Sequence, residues 1–123
     1  MALFQFKCGE MNMNSKMMFD FEGYAVGVVE DAGGQVWFKA GDLCRLAGFS
    51  SKPRRILKWQ IDRNCIHWFD VTDARGRTRV KAHVNVQGMT ILTTLSPNPR
   101  AYRLRKWILS CVLPSLSKRA KRV

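Results

Sequence analysis

The last fifty residues of this 123-residue chain contain no Asp or Glu. All nine carboxylates lie at or before Asp73, where nine Lys and Arg balance them, and the remaining twelve Lys and Arg supply the whole net charge of +12. That separation constrains the fold. A late cation has no carboxylate near it in sequence, so it must face solvent, reach back to the first part of the chain, or meet an anion from outside. Concentrating one sign of charge costs self-repulsion, and polyanions, nucleic acid above all, are the partners that offset it.

With 46% hydrophobic residues spread along its length, the chain suits a single domain with one core. Cys8, Cys44, Cys65 and Cys111 are far apart, with no Cys-x-x-Cys pair, and neither histidine stands at ligand spacing from a cysteine. The reading is reduced structural cysteines, no metal and no cofactor. Residues 1–21 lack the basic start and continuous apolar run of a secretory signal, and no segment reaches the roughly 20 apolar residues that span a bilayer. A soluble intracellular protein is expected.

Residues 1–18 read as a Met- and Asn-rich N-terminal segment, with a short strand at Leu3 to Phe6 and a connection from Met11 to Met18. Phe19 to Glu30 and Gln35 to Lys39 read as two strands of a hairpin about the turn Asp31-Ala32-Gly33-Gly34. Asp42 to Ala47 has a helical apolar face, and Gly48 suits its left-handed cap. Pro53 starts a second helix that runs to about Asp62. Ile66 to Thr72 and Thr78 to Val84 form another hairpin, with Gly76 left-handed in the turn, Val71 opposite Arg79, Phe69 opposite Lys81 and His67 opposite His83, unless a β-bulge at Gly76 shifts these pairs by one. Asn85 caps a helix with Val86, Met89, Leu92 and Leu95 on its apolar side, and Asn98-Pro99 begins a last one with Leu104, Trp107, Ile108 and Cys111 as the buried stripe. Pro114 ends or kinks that helix. The sum is an α+β domain over 19–117, small antiparallel β-hairpins packed with about four helices around a single core, followed by a basic tail at 118–123.

Three basic sets stand out. Arg75 precedes the strand on which Arg77, Arg79, Lys81 and His83 alternate, so these four project from one face about 6.8 Å apart, while Val80, Ala82 and Val84 point into the core. Such a row can follow a phosphate backbone, and Phe69, on the same face, can stack on an unpaired base. The bland alternative is a solvated edge strand protected by its charge. The second set is Arg100, Arg103, Arg105 and Lys106 on the last helix, and the third is Lys118, Arg119, Lys121 and Arg122 in the tail, a phosphate clamp, an import signal or a soluble end. Trp37, Trp59, Trp68 and Trp107 read as core anchors. No phosphate loop, nucleophile elbow or His-Glu pattern is present, and no enzymatic activity is expected.

Val36-Trp37-Phe38-Lys39-Ala40-Gly41-Asp42-Leu43-Cys44-Arg45-Leu46-Ala47-Gly48-Phe49 resembles the "pWFvakDva..Lgy" signature of the BRO-N domain family. Asn85-Val86-Gln87-Gly88-Met89 is similar to that family's "Asn-x-x-Gly-hydrophobic" helix. Pro99, Tyr102, Arg105-Lys106-Trp107 and Val112-Leu113-Pro114-Ser115-Leu116 resemble its "aK.FrkWv..evLPsl" ending. The match keeps order and spacing from about Phe19 to Lys118. The resemblance implies an α+β fold and a viral DNA-binding protein that regulates viral or host transcription or replication. Insect-virus members are associated with the nucleus and cytoplasm of infected cells. Its phage antirepressor branch implies an alternative, a protein-interaction module that sequesters an acidic partner. Family members commonly carry a further C-terminal domain, and the resemblance transfers no list of base-contacting residues.

Overall fold

The computed structural model describes residues 15–49 and 60–116. Apolar residues at every second position decide the first two strands. Met17, Phe19 and Phe21 of β1 (Ser15–Phe21) stand in register with Val28, Val26 and Tyr24 of β2 (Tyr24–Glu30), so all share one face of the ladder. Glu22 and Gly23 close this hairpin with φ of 50° and 88°, a two-residue turn whose left-handed backbone follows the twist of the strands. No Asn-Gly or Asp-Gly marks that turn. The expected single strand from Phe19 to Glu30 is therefore two, and the expected connection at Met11 to Met18 gives way to strand from Ser15.

The second turn is as expected. Asp31 Oδ1 accepts from the Gly33 and Gln35 N–H groups at 3.0 and 2.9 Å, and β3 (Val36–Lys39) pairs back on β2. Helix α1 (Ala40–Leu46) follows at once. It ends with Gly48 at φ 84°, the Gly48 N–H on the Arg45 carbonyl and the Phe49 N–H on the Cys44 carbonyl, the bond pair that satisfies a helix end. A short 3-10 turn (Arg63–Cys65) leads into β4 (Ile66–Thr72), which pairs with β5 (Thr78–Val84) in the expected register, His67 opposite His83 and Phe69 opposite Lys81. Pairing of Phe38 with Val84 joins the two hairpins into one antiparallel sheet of order β1-β2-β3-β5-β4.

Helices α2 (Val86–Leu95) and α3 (Pro99–Trp107) are capped as their sequences demand. Asn85 accepts from the Gly88 N–H and Asn98 from the Arg100 N–H, both at 2.9 Å. Past Trp107 the chain makes a π-turn (Ile108–Val112), with the Leu113 N–H donating five residues back to the Ile108 carbonyl, and residues 113–116 continue helical. Pro114 has no N–H to donate, and the wider turn before it accommodates that. The extra residue in the turn rotates the buried stripe. Ala101, Leu104, Ile108, Val112 and Leu116 face the core, and Cys111, expected inside, is exposed.

Three helices are present among the described residues, rather than about four. Most of the expected Pro53-to-Asp62 helix, the Leu3-to-Phe6 strand, Trp59 and the basic tail lie outside those residues. All three helices pack on one face of the sheet, where Phe21, Val26, Val28, Phe38 and Val84 meet Leu43, Leu46, Met89, Leu92, Leu104 and Ile108. Gly88 lets α2 lie close on β5, since a Cβ there would stand 2.8 Å from that of Val84. The fold is α+β, with one sheet face covered and the other open.

Candidate nucleic-acid interface

Side chains alternate, so the strand positions that do not enter the core all emerge on the open face. β3 gives Trp37 and Lys39, β5 gives Arg79, Lys81 and His83, and β1 gives Lys16 and Met18. Val29, Trp37 and Phe69 form a small apolar cluster there. Trp37 Nε1 donates to Asp31 Oδ2 at 3.0 Å, tying the cluster to the β2–β3 turn. Burial pushes the Asp31 carboxyl up, but that indole, the Gln35 and Gly33 amides and the nearby His67 outweigh it and hold the group below its ordinary value.

Beside the cluster lies a trough of about 550 Å³. Lys16, Lys39, Arg79 and Lys81 line it, together with Met18, Gly27, Val71, His83 and one carboxylate, that of Asp73. Gly27 forms part of its wall for a geometric reason. β3 leaves the sheet for α1 at that level, and the buried Asp42 carboxylate takes the Gly27 N–H at 2.8 Å in place of a strand partner. A Cβ on Gly27 would press on Asp42 Oδ2 and Lys39 Cβ, each at 3.4 Å. Asp42 also pairs with Arg45 at 3.2 Å. None of Lys16, Lys39, Arg79 and Lys81 has a carboxylate partner among the described residues.

From the trough the β4–β5 hairpin extends as a ribbon, with residues 72–81 exposed throughout. Asp73 organises its tip, accepting from the Arg75 and Arg77 N–H groups at 2.9 Å each and pairing with Arg77 Nε at 3.3 Å, while Gly76 takes the left-handed position at φ 84°. Arg75, Arg79 and Lys81 form no ion pair among the described residues. Two expectations are corrected here. Val80 does not enter the core but is 58% exposed, because the ribbon runs past the helices and only its root, at Ala82 and Val84, reaches them. Phe69 is not presented for stacking. It is 6% exposed, with its ring 5.9 Å from that of Trp37, 4.6 Å from His67 and 5.1 Å from His83. Trp68, expected to be a core anchor, is instead 56% exposed.

The cations of α3 are placed differently. Arg100 donates from Nε to the Leu46 carbonyl at 2.6 Å and lies over the Tyr24 ring. Arg103 grips both oxygens of Glu22 at 2.8 and 3.1 Å, and that guanidinium holds the Glu22 carboxyl below its usual value. Arg105 donates to Thr94 Oγ1 at 2.8 Å and covers Tyr102, leaving Lys106 exposed without such a partner among the described residues. These residues lock the helix layer together on the side of the sheet away from the trough. Lys118, Arg119, Lys121 and Arg122 lie outside the described residues.

Sequence reasoning missed Lys16 and Lys39. Each is a lone cation, unmarked by any run. The available signal was parity: each adjoins a core residue, Met17 and Phe38, on a strand, and so must face the opposite side.

No helix among the described residues is long and apolar enough to cross a membrane. Neither a curated protein nor a solved structure matches the chain. A family profile, that of the BRO family, N-terminal domain, matches residues 25–114, from the start of β2 to the proline after the π-turn, and the chain belongs to this family.

Proposed function

We propose that this domain binds nucleic acid through its phosphate backbone, using the β4–β5 ribbon and the trough at its root. The observation that carries this reading is the cluster of Lys16, Lys39, Arg79 and Lys81 around one concavity, none of them in an ion pair among the described residues, while the one carboxylate on its lining, Asp73, is held by Arg77. Four like charges held together on a sheet cost self-repulsion that an arriving phosphate chain relieves. Family membership suggests a viral or phage DNA-binding or antirepressor-like domain, which agrees with this chemistry.

A two-stranded ribbon fits the major groove of B-DNA, about 12 Å wide, and arginines at its tip then reach phosphates on either side. Lysines and backbone-directed arginines position a protein without reading bases, so binding is largely indifferent to sequence. The reading assigns no catalytic step to the domain. Its role is to seat a regulatory protein on viral or host DNA.

Fluorescence anisotropy with a labelled duplex across a salt series tests this. If about four phosphates are neutralised, log affinity falls against log salt with a slope near −3.6. Absence of binding at low salt would overturn the proposal and favour an acidic protein partner instead.

A further inference from the structure

His83 is the one titratable side chain on the trough that is almost sealed from solvent, at 1% exposure. Its Nδ1 lies 2.9 Å from the Lys81 carbonyl oxygen, which can only accept, so Nδ1 carries a hydrogen and a second proton must go to Nε2. The charged groups facing the ring come from every element around it. Lys16 approaches from β1, Lys39 from β3 and Asp42 from α1, and β4 contributes the Phe69 ring and the cross-strand His67. Lys81 and Arg79 lie on its own strand, and Asp73, just past the end of β4, lines the same trough.

We propose that the trough is a phosphate site and that filling it drives a proton onto His83. This inference rests on the nucleic-acid reading above and extends it to a mechanism. In the empty trough, burial and the charges of Lys39 and Lys16 hold His83 below its ordinary value, against the Lys81 carbonyl and Asp42, which act the other way. A phosphodiester among the same lysines offsets part of the local positive charge. The repulsion that disfavoured the imidazolium is lessened, its pKa rises, and the domain takes up a proton as it binds. Reciprocity follows: affinity for the polyanion rises as pH falls. A rise of one unit in the His83 midpoint corresponds to about tenfold in affinity across its titration.

The test follows the His83 Cε1–H resonance of the full chain against pH, free and with a 16-base-pair duplex, alongside duplex affinity at pH 5.5 and 7.5. The expected result is an upward move of the His83 midpoint in the complex and about tenfold tighter binding at the lower pH. That pH dependence should shrink in His83→Gln and persist in His67→Gln. A duplex that binds while the His83 midpoint stays fixed overturns the inference and leaves the nucleic-acid reading standing. Should the duplex not bind at all, that reading fails, and inorganic phosphate becomes the probe. A His83 midpoint that rises with phosphate still supports the site, and one that ignores it overturns it. Because the resonance is read in the unmodified protein, instability of His83→Gln does not blunt the test.

Discussion

Asp42 shows how one side chain decides the shape of a surface. Its carboxylate replaces the strand that β2 loses when β3 turns into α1, and it does so from a buried position. Asp42→Ala leaves the Gly27 N–H without that acceptor and is expected to cost about 1–3 kcal/mol in urea unfolding. Phe69 makes the complementary case. Its ring is enclosed by Val29, Trp37 and two imidazoles, so Phe69→Ala should lower stability by roughly 3 kcal/mol through the cavity it leaves. Trp68→Ala, at an exposed position, should cost far less, and equal losses would contradict the assignment of Phe69 to structure.

His83, Glu22 and Asp31 shape the dependence of stability on pH. The folded state holds His83 below the ordinary value of 6.5, so above that pH both folded and unfolded chains are neutral there and the group contributes no slope. As pH falls below 6.5 the unfolded chain gains a proton that the folded one resists, and stability drops until the folded midpoint is passed. Glu22 and Asp31, also held low, add losses that begin near their unfolded values of 4.5 and 3.8 and continue through their folded midpoints. Urea midpoints measured from pH 8 to pH 3 should therefore be flat, then decline in two stages. The first stage should be absent in His83→Gln.

At the scale of elements, the π-turn is the feature that apolar spacing could not reveal. An unbroken α-helical period through Leu104, Ile108 and Cys111 puts the cysteine inside, and one additional residue in the turn places Val112 there instead. Alkylation of the folded protein should label Cys111 quickly. Cys44 is buried and its thiol is pushed up to about 11, so it should react only on unfolding. Rapid labelling of Cys44 with protection of Cys111 would restore the uninterrupted helix. The ribbon is the other informative element. Its register was legible because Gly76 and the β-branched runs on either side fix a short loop, whereas its reach beyond the helices was not, since Val80 looks like any core valine in sequence. Asp73→Ala should loosen the tip by about 1 kcal/mol and, by releasing Arg77, strengthen duplex binding at low salt.

For the whole molecule, the charge asymmetry was visible at once and its division between two surfaces was not. The strand and helix basic sets both follow Asp73 and look equivalent as text. The fold separates them because carboxylates and carbonyls from the first part of the chain, Glu22 and the end of α1, lie within reach of Arg103 and Arg100 but not of Arg79 or Lys81. The capped helices and the second hairpin were readable from local chemistry. The joining of the hairpins by β3 and β5, which brings Lys39 beside Lys81, is a long-range pairing with no local signature.

That division makes the central claim testable with charge reversals on the two surfaces. Duplex affinity would be measured at low salt for the wild type, for Arg79→Glu/Lys81→Glu and for Lys106→Glu, each confirmed folded by its melting curve. The account predicts at least a tenfold loss for the strand pair, with the salt slope reduced by about two, and little change for the helix variant. A comparable loss from Lys106→Glu, or an unchanged affinity after reversal at Arg79 and Lys81, would contradict it.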